Sequence, residues 1–218
     1  MKKKLTALLL AGVLCLGLVA CGSKAEDTKE PEDTAEPDTV QTDMEYVKEK
    51  GVLVVGITDF APMDYKDESG EWIGFDADMA KAFAKSLGVE VKFIPIDWDY
   101  KVAELNNKSI DCVWNGMTLT NEVLSSMNSS KPYGVNAQVI VMKKDQIADY
   151  TNVEALKDHT FVAEAGSAGA AAINDAGYTA TEVSTQADAL MEVAAGAEDA
   201  CVIDITMANA MTGEGTNY

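Results

Sequence analysis

The chain has 218 residues, 47% of them hydrophobic, with 36 acidic against 17 basic side chains and a formal net charge of −19. That much negative charge argues against a nucleic-acid binder and against docking on anionic lipid through a basic patch. Every basic residue is a lysine; there is no arginine, which bears on the site below.

Lys2, Lys3 and Lys4 precede an apolar run from Leu5 to Val19, followed by small residues at a cleavage point. This is the pattern of a secretory signal peptide, residues 1–20. The run is too short for a comfortable membrane span. Leu18-Val19-Ala20-Cys21 resembles the bacterial lipobox, which implies that Cys21 becomes the lipidated first residue of the exported protein. Residues 1–20 hold three lysines and no acid, leaving −22 for the remainder. Residues 21–43 then form an acidic tether. Its stretch from Gly22 to Asp43 has Val40 as its one aliphatic residue larger than Ala, and it cannot bury enough surface to order itself. As a flexible coil it spans about 25 Å.

The remaining 175 residues, from Met44, suffice for two small lobes. Glu45–Lys50 reads as a short helix stopped by Gly51, and Val52–Ile57 as a buried strand. After a loop at 58–63 and a turn at Ser69–Gly70, Trp72–Phe75 leads into a helix. Phe75, Met79, Phe83 and Leu87 share one face of it, the pattern of a helix that buries that stripe. Asp76 and Asp78 sit in its first turn, where the helix dipole favours acids. Val89–Val91–Phe93 alternates with polar residues as a half-buried strand. Helices at about 98–106, 120–127, 153–157, 167–174 and 185–195 then alternate with strands at 110–114, 137–142, 160–164, 181–183 and 200–204. Such alternation implies an α/β fold with mostly parallel sheets covered on both faces. Ligands in these sheets lie beyond the carboxyl ends of the strands. The positions to watch are therefore the loops 58–63, 96–98, 115–120, 165–167 and 204–206.

Cys112 and Cys201 each lie in a strand-like run. They read as separate buried thiols, or as a disulfide if both strands share a subdomain. His159 has no Cys or acid at metal-ligand spacing, so neither a metal nor a cofactor is expected.

Several stretches together resemble one family: GITDFAPMDY (56–65), GEWIGFDADMAKAFAKSLG (70–88), IDWDYKVAELNNKSIDCVWNGMTLT (96–120), KPY (131–133), FVAEAGS (161–167) and ACVID (200–204). The chain is similar there to polar-amino-acid-type extracytoplasmic solute-binding proteins that feed ABC importers. The resemblance implies a two-lobed, periplasmic-binding-protein-like (type II) fold that clasps a small ligand between its lobes. It implies lobe 1 at 45–134 and lobe 2 at 135–218, each lacking later segments of the family, so that the chain is expected to be C-terminally truncated. The expected partners are an amino acid or related zwitterion, a permease and ATPase, and the outer side of the bacterial cytoplasmic membrane (or the periplasm) through Cys21. A tethered ligand sensor is the alternative, and a lyase like the cyclohexadienyl dehydratases a remoter one. No catalysis is expected.

The resemblance points to Asp59, Phe60, Trp98, Gly116, Thr118, Thr120, Ser167 and Asp204 as ligand-binding residues. Phe60 and Trp98 would bracket the ligand as aromatic walls. Asp59 would accept from a cationic ligand group, and Asp204 would bind the ligand ammonium. Gly116 allows close backbone approach. Thr120 and Ser167 read equally as helix N-caps or as parts of an anion cradle, and Trp114 and Asn115 face either cleft or core. The family usually carries, three residues after the second Thr of T-x-T, an arginine that grips the ligand carboxylate. Here that position is Val123. Loss of such a contact costs about 2–5 kcal/mol if nothing compensates.

Overall fold

The computed structural model describes residues 41–147 and 152–216. The expected signal peptide, the expected lipidation site Cys21 and the expected tether as far as residue 40 lie outside the described residues.

Thr42 opens the first helix, α1 (Asp43–Lys50), with a capping box: its hydroxyl accepts from the Glu45 N–H while the Glu45 carboxylate accepts from the Thr42 N–H. Strand β1 (Val52–Ile57) follows at once. A short antiparallel hairpin, β2 (Tyr65–Lys66) and β3 (Trp72–Ile73), leads into helix α2 (Phe75–Leu87) and strand β4 (Glu90–Pro95). A 3-10 turn at Trp98–Tyr100 runs into α3 (Lys101–Asn106), then β5 (Cys112–Val113) and α4 (Asn121–Ser126). These strands form a parallel sheet in the order β4-β1-β5. The expected strand over 110–114 thus pairs only at Cys112–Val113.

The alternating pattern continues with β6 (Gln138–Met142), α5 (Lys144–Ile147), a 3-10 turn at Val153–Leu156, β7 (Phe161–Glu164), α6 (Ala168–Asp175), β8 (Ala180–Val183), α7 (Gln186–Ala195), β9 (Ala200–Asp204) and α8 (Ile205–Met211). Their sheet has the order β6-β9-β7-β8, parallel except that β6 runs against β9. Central strands β7 and β9 are buried at every position, as expected of a sheet covered on both faces. Val162 packs with Ala189, Leu190 and Val193 of α7, while Phe161 and Ala163 pack with Ala170 and Ile173 of α6.

Helix α2 corrects one expectation. Its buried side is Asp76, Ala77, Ala80 and Ala84, while Phe75, Met79 and Phe83 are exposed. Ala80 and Ala84 pack with Leu53, Val55 and Ile57 of β1; their small side chains let the helix lie close on the sheet. The bulky stripe turns instead toward Tyr133 and Trp114: Phe75 stacks on Tyr133 at 6.2 Å and Phe83 lies 5.8 Å from Trp114. Beside β5, an edge strand, runs an apolar groove of about 670 Å³ lined by Leu53, Phe83, Leu87, Cys112, Trp114 and others. Cys112 and Cys201 belong to different sheets and are free thiols, both pushed up to about 12 by burial.

Candidate ligand-binding site

The carboxyl ends of strands from both sheets open on one polar cavity of about 250 Å³, close to the small end of ordinary ligand sites. Trp98, Gly116, Thr118, Thr120, Ser167 and Asp204 all line it. The first four follow strands of the first sheet; Ser167 follows β7 and Asp204 ends β9 in the second.

On the first side, the loop after β5 is held by Asn115. Its Nδ2 donates to Thr58 Oγ1 at 2.7 Å and its Oδ1 accepts from the Thr58 N–H at 2.9 Å. Asn115 lines both the cavity and the groove, and Trp114 lines the groove. Gly116 has φ +59°, and a Cβ there would lie 2.7 Å from the Phe60 ring, so glycine is required on both counts. Thr118 Oγ1 accepts from Asn136 Nδ2 at 3.0 Å. Thr120 is the N-cap of α4, accepting from the Val123 N–H at 3.2 Å. Val123 is buried and its side chain also lines the cavity. An apolar group thus stands where the family resemblance expects a guanidinium.

On the second side, Ser167 caps α6, accepting from the Ala170 N–H at 3.1 Å. Asp204, 6% exposed at the end of β9, accepts from the side-chain amides of Asn136, Gln138 (2.7 Å) and Gln186. These donors fix its orientation without supplying a counter-charge. Among the described residues no cation lies within 4 Å of it.

Three lining residues were not singled out from the sequence. Gln186, at the start of α7, holds Asp204. Glu164 ends β7, is 2% exposed, and its Oε1 has no hydrogen-bond partner. Burial, aided by the charge of Asp204 and opposed by Lys101, pushes its carboxyl up to about 8. Lys101, the first residue of α3, is also buried. Its Nζ donates to the carbonyl oxygens of Trp98 (3.1 Å) and Gly166 (3.0 Å) and lies 5.0 Å from the Trp98 ring centroid. Burial pulls its ammonium down from the usual lysine range.

Asp59 and Phe60 are not brought to this cavity. Asp59 is exposed. Phe60 is buried in one cluster with Leu190, Ile203 and Met207 and lies under Gly116. Phe60 does not line this cavity beside Trp98; it lines the neighbouring groove, and its close approach to Gly116 supports the β5–α4 loop. His159 lies apart from the cavity, and among the described residues no three His, Cys, Asp or Glu side chains form a metal-sized cluster.

Two α/β sheets that present strand-end loops to a shared polar cavity define a two-lobed binding protein of the type II periplasmic kind. The chain belongs to the bacterial extracellular solute-binding proteins, family 3, which it matches over residues 53–201. It is 33% identical over 112 residues to the L-cystine-binding protein TcyJ of Escherichia coli, covering 51% of this chain and 42% of that one. To the arginine-binding extracellular protein ArtP of Bacillus subtilis it is 31% identical over 157 residues, 72% of this chain and 52% of that one. The chain thus spans about half the length of these curated relatives. Among solved structures, holo ArgBP from T. maritima superposes with TM-score 0.72 at 34% identity, covering 76% of this chain and 74% of that one. The ancestral amino acid-binding protein AncCDT-1, a precursor of cyclohexadienyl dehydratase, gives TM-score 0.74 at 33% identity, covering 78% and 77%.

Proposed function

We propose that the protein is the extracytoplasmic substrate-binding component of an ABC importer. It captures an amino acid or a related small polar zwitterion between its lobes and hands it to a permease, and it is held at the membrane by a lipid on Cys21. The observation that carries this reading is the shared cavity: an aromatic face (Trp98), a loop hydroxyl (Thr118), hydroxyls at helix starts (Thr120, Ser167) and a desolvated acid (Asp204) converge there from both sheets. In this reading Asp204 takes the ammonium, Trp98 packs on the ligand body, and the hydroxyls with neighbouring N–H groups take polar oxygens. The relatives named for cystine and arginine binding support an amino-acid ligand. No reaction is assigned to the site.

Calorimetric titration with the free L-amino acids tests this. At least one should bind, raise the melting temperature by mass action, and be recovered unaltered by mass spectrometry. Absence of any binding at about millimolar ligand would refute it, and conversion of the ligand would replace it with the lyase reading.

A further inference from the structure

Val123 leaves the carboxylate of a zwitterion without a cation at the position where the family resemblance puts one. We propose that the Lys101 ammonium is the carboxylate-binding group of this cavity, opposite Asp204 in charge and replacing an arginine this chain lacks. The inference rests on the zwitterion reading above.

Among the described residues that wall the cavity, Lys101 is the single cation. Its placement is unfavourable in dipole and in solvation. A lysine in the first turn of a helix sits at the wrong end of the dipole. Lysines ordinarily keep their ammonium in water, yet Lys101 is only 7% exposed. No carboxylate lies within 4 Å of it among the described residues. Asp99, Glu122 and Glu164 act on it only from longer range. A buried charge without a contacting partner is costly, and an anion arriving in the cavity relieves that cost.

The geometry also leaves a donor for that anion. An ammonium has three N–H bonds. Two are aimed at the Trp98 and Gly166 carbonyls, one on each side of the cavity, which hold Nζ in place and leave the third. Because Gly166 belongs to the β7–α6 loop and Trp98 to the loop after β4, the cation is fixed where the two sheets meet. At that junction Gly166 has φ +65°, and a Cβ there would lie 2.6 Å from Asp99 Oδ1. An apolar Val123 in the same cavity offers no competing contact to a carboxylate. A tie between the two sides through Nζ alone would account for the two carbonyl contacts, but not for a cation in the cavity wall with no carboxylate in contact.

The test compares Lys101→Met and Lys101→Arg with the wild type, using the amino acid that binds most tightly among the free L-amino acids and its carboxamide. Lys101→Met should weaken the amino acid by about 30-fold or more while changing the neutral carboxamide little, and Lys101→Arg should restore much of the amino-acid affinity. Equal losses for both ligands would make Lys101 a structural tie and overturn the proposal, as would unchanged amino-acid binding. If no amino acid binds the wild type, the zwitterion reading fails on its own. The Lys101 assignment is then decided by titrating propanoate while following the Lys101 Cε resonance, assigned by its loss in Lys101→Arg. A saturable shift upholds it, and a flat titration overturns it.

Discussion

Gln186 holds Asp204 at two points: its Oε1 accepts the Asp204 backbone N–H at 2.8 Å, and its Nε2 donates to the Asp204 carboxylate. The side chain that starts α7 thereby sets the direction of an acid at the end of β9. Gln186→Leu should loosen the carboxylate and lower amino-acid affinity by about 1–2 kcal/mol, whereas Asp204→Asn, which removes the charge itself, should cost about 2–5 kcal/mol. Calorimetry on both variants orders the two effects. Gln186→Leu weakening the ligand as much as Asp204→Asn would mean that Gln186 touches the ligand itself.

Phe60 and Gly116 yield a prediction about stability. The ring is 3% exposed and sits in the cluster built on α7 and β9, so Phe60→Ala should cost about 3–5 kcal/mol of unfolding free energy. Gly116→Ala has both a left-handed backbone and the Phe60 ring against it and should cost about 1–3 kcal/mol. Urea unfolding measures both. A Phe60→Ala protein of undiminished stability but weakened ligand binding would restore the ring to the ligand wall.

The loops that carry the site were legible because strand–helix alternation fixes where strands end, and type II sheets put ligands there. Ser167 and Thr120 were legible as caps from their positions before helical runs. Helix α2 departs from the pattern of its large side chains because close helix–sheet packing selects the alanines at 77, 80 and 84. Lys101 is not legible because a lysine on a short helix reads as solvated, whereas here it is buried and tied to Gly166 across the cavity. Glu164 carried a usable signal, an acid closing a buried strand, the same one that marked Asp204.

Buried acids, Asp64 and Glu164 foremost, make stability depend on pH. Asp64 is fully buried, and burial with the nearby Asp76 pushes it up to about 8 against a weaker opposing pull from the Ala77 N–H. Glu164 is raised to about 8 as well. Between the ordinary carboxylate range near 4 and about 8, the folded protein binds protons that the unfolded chain has released, so stability falls as pH rises through that window. Asp64→Asn removes one of these groups. Thermal unfolding of the variant should match the wild type near pH 4 and exceed it at about pH 8. Parallel profiles for the two proteins would show that Asp64 does not hold its proton in the fold.

Trp98 gives the sharpest optical readout. It lines the cavity, with the Lys101 ammonium 5.0 Å from its ring centroid, whereas Trp114 lines the groove and Trp72 lies in the β2–β3 hairpin near Lys66. A carboxylate drawn to Lys101 changes the field over the Trp98 ring, so bound amino acid should shift the intrinsic fluorescence through this residue. Trp98→Phe should abolish most of that change and keep most of the affinity, because a flat ring remains. Trp98→Ala should weaken binding by about 1–3 kcal/mol as contact area is lost. A fluorescence change that survives in Trp98→Phe would place the ligand nearer Trp114, in the apolar groove, and move the binding site out of the polar cavity.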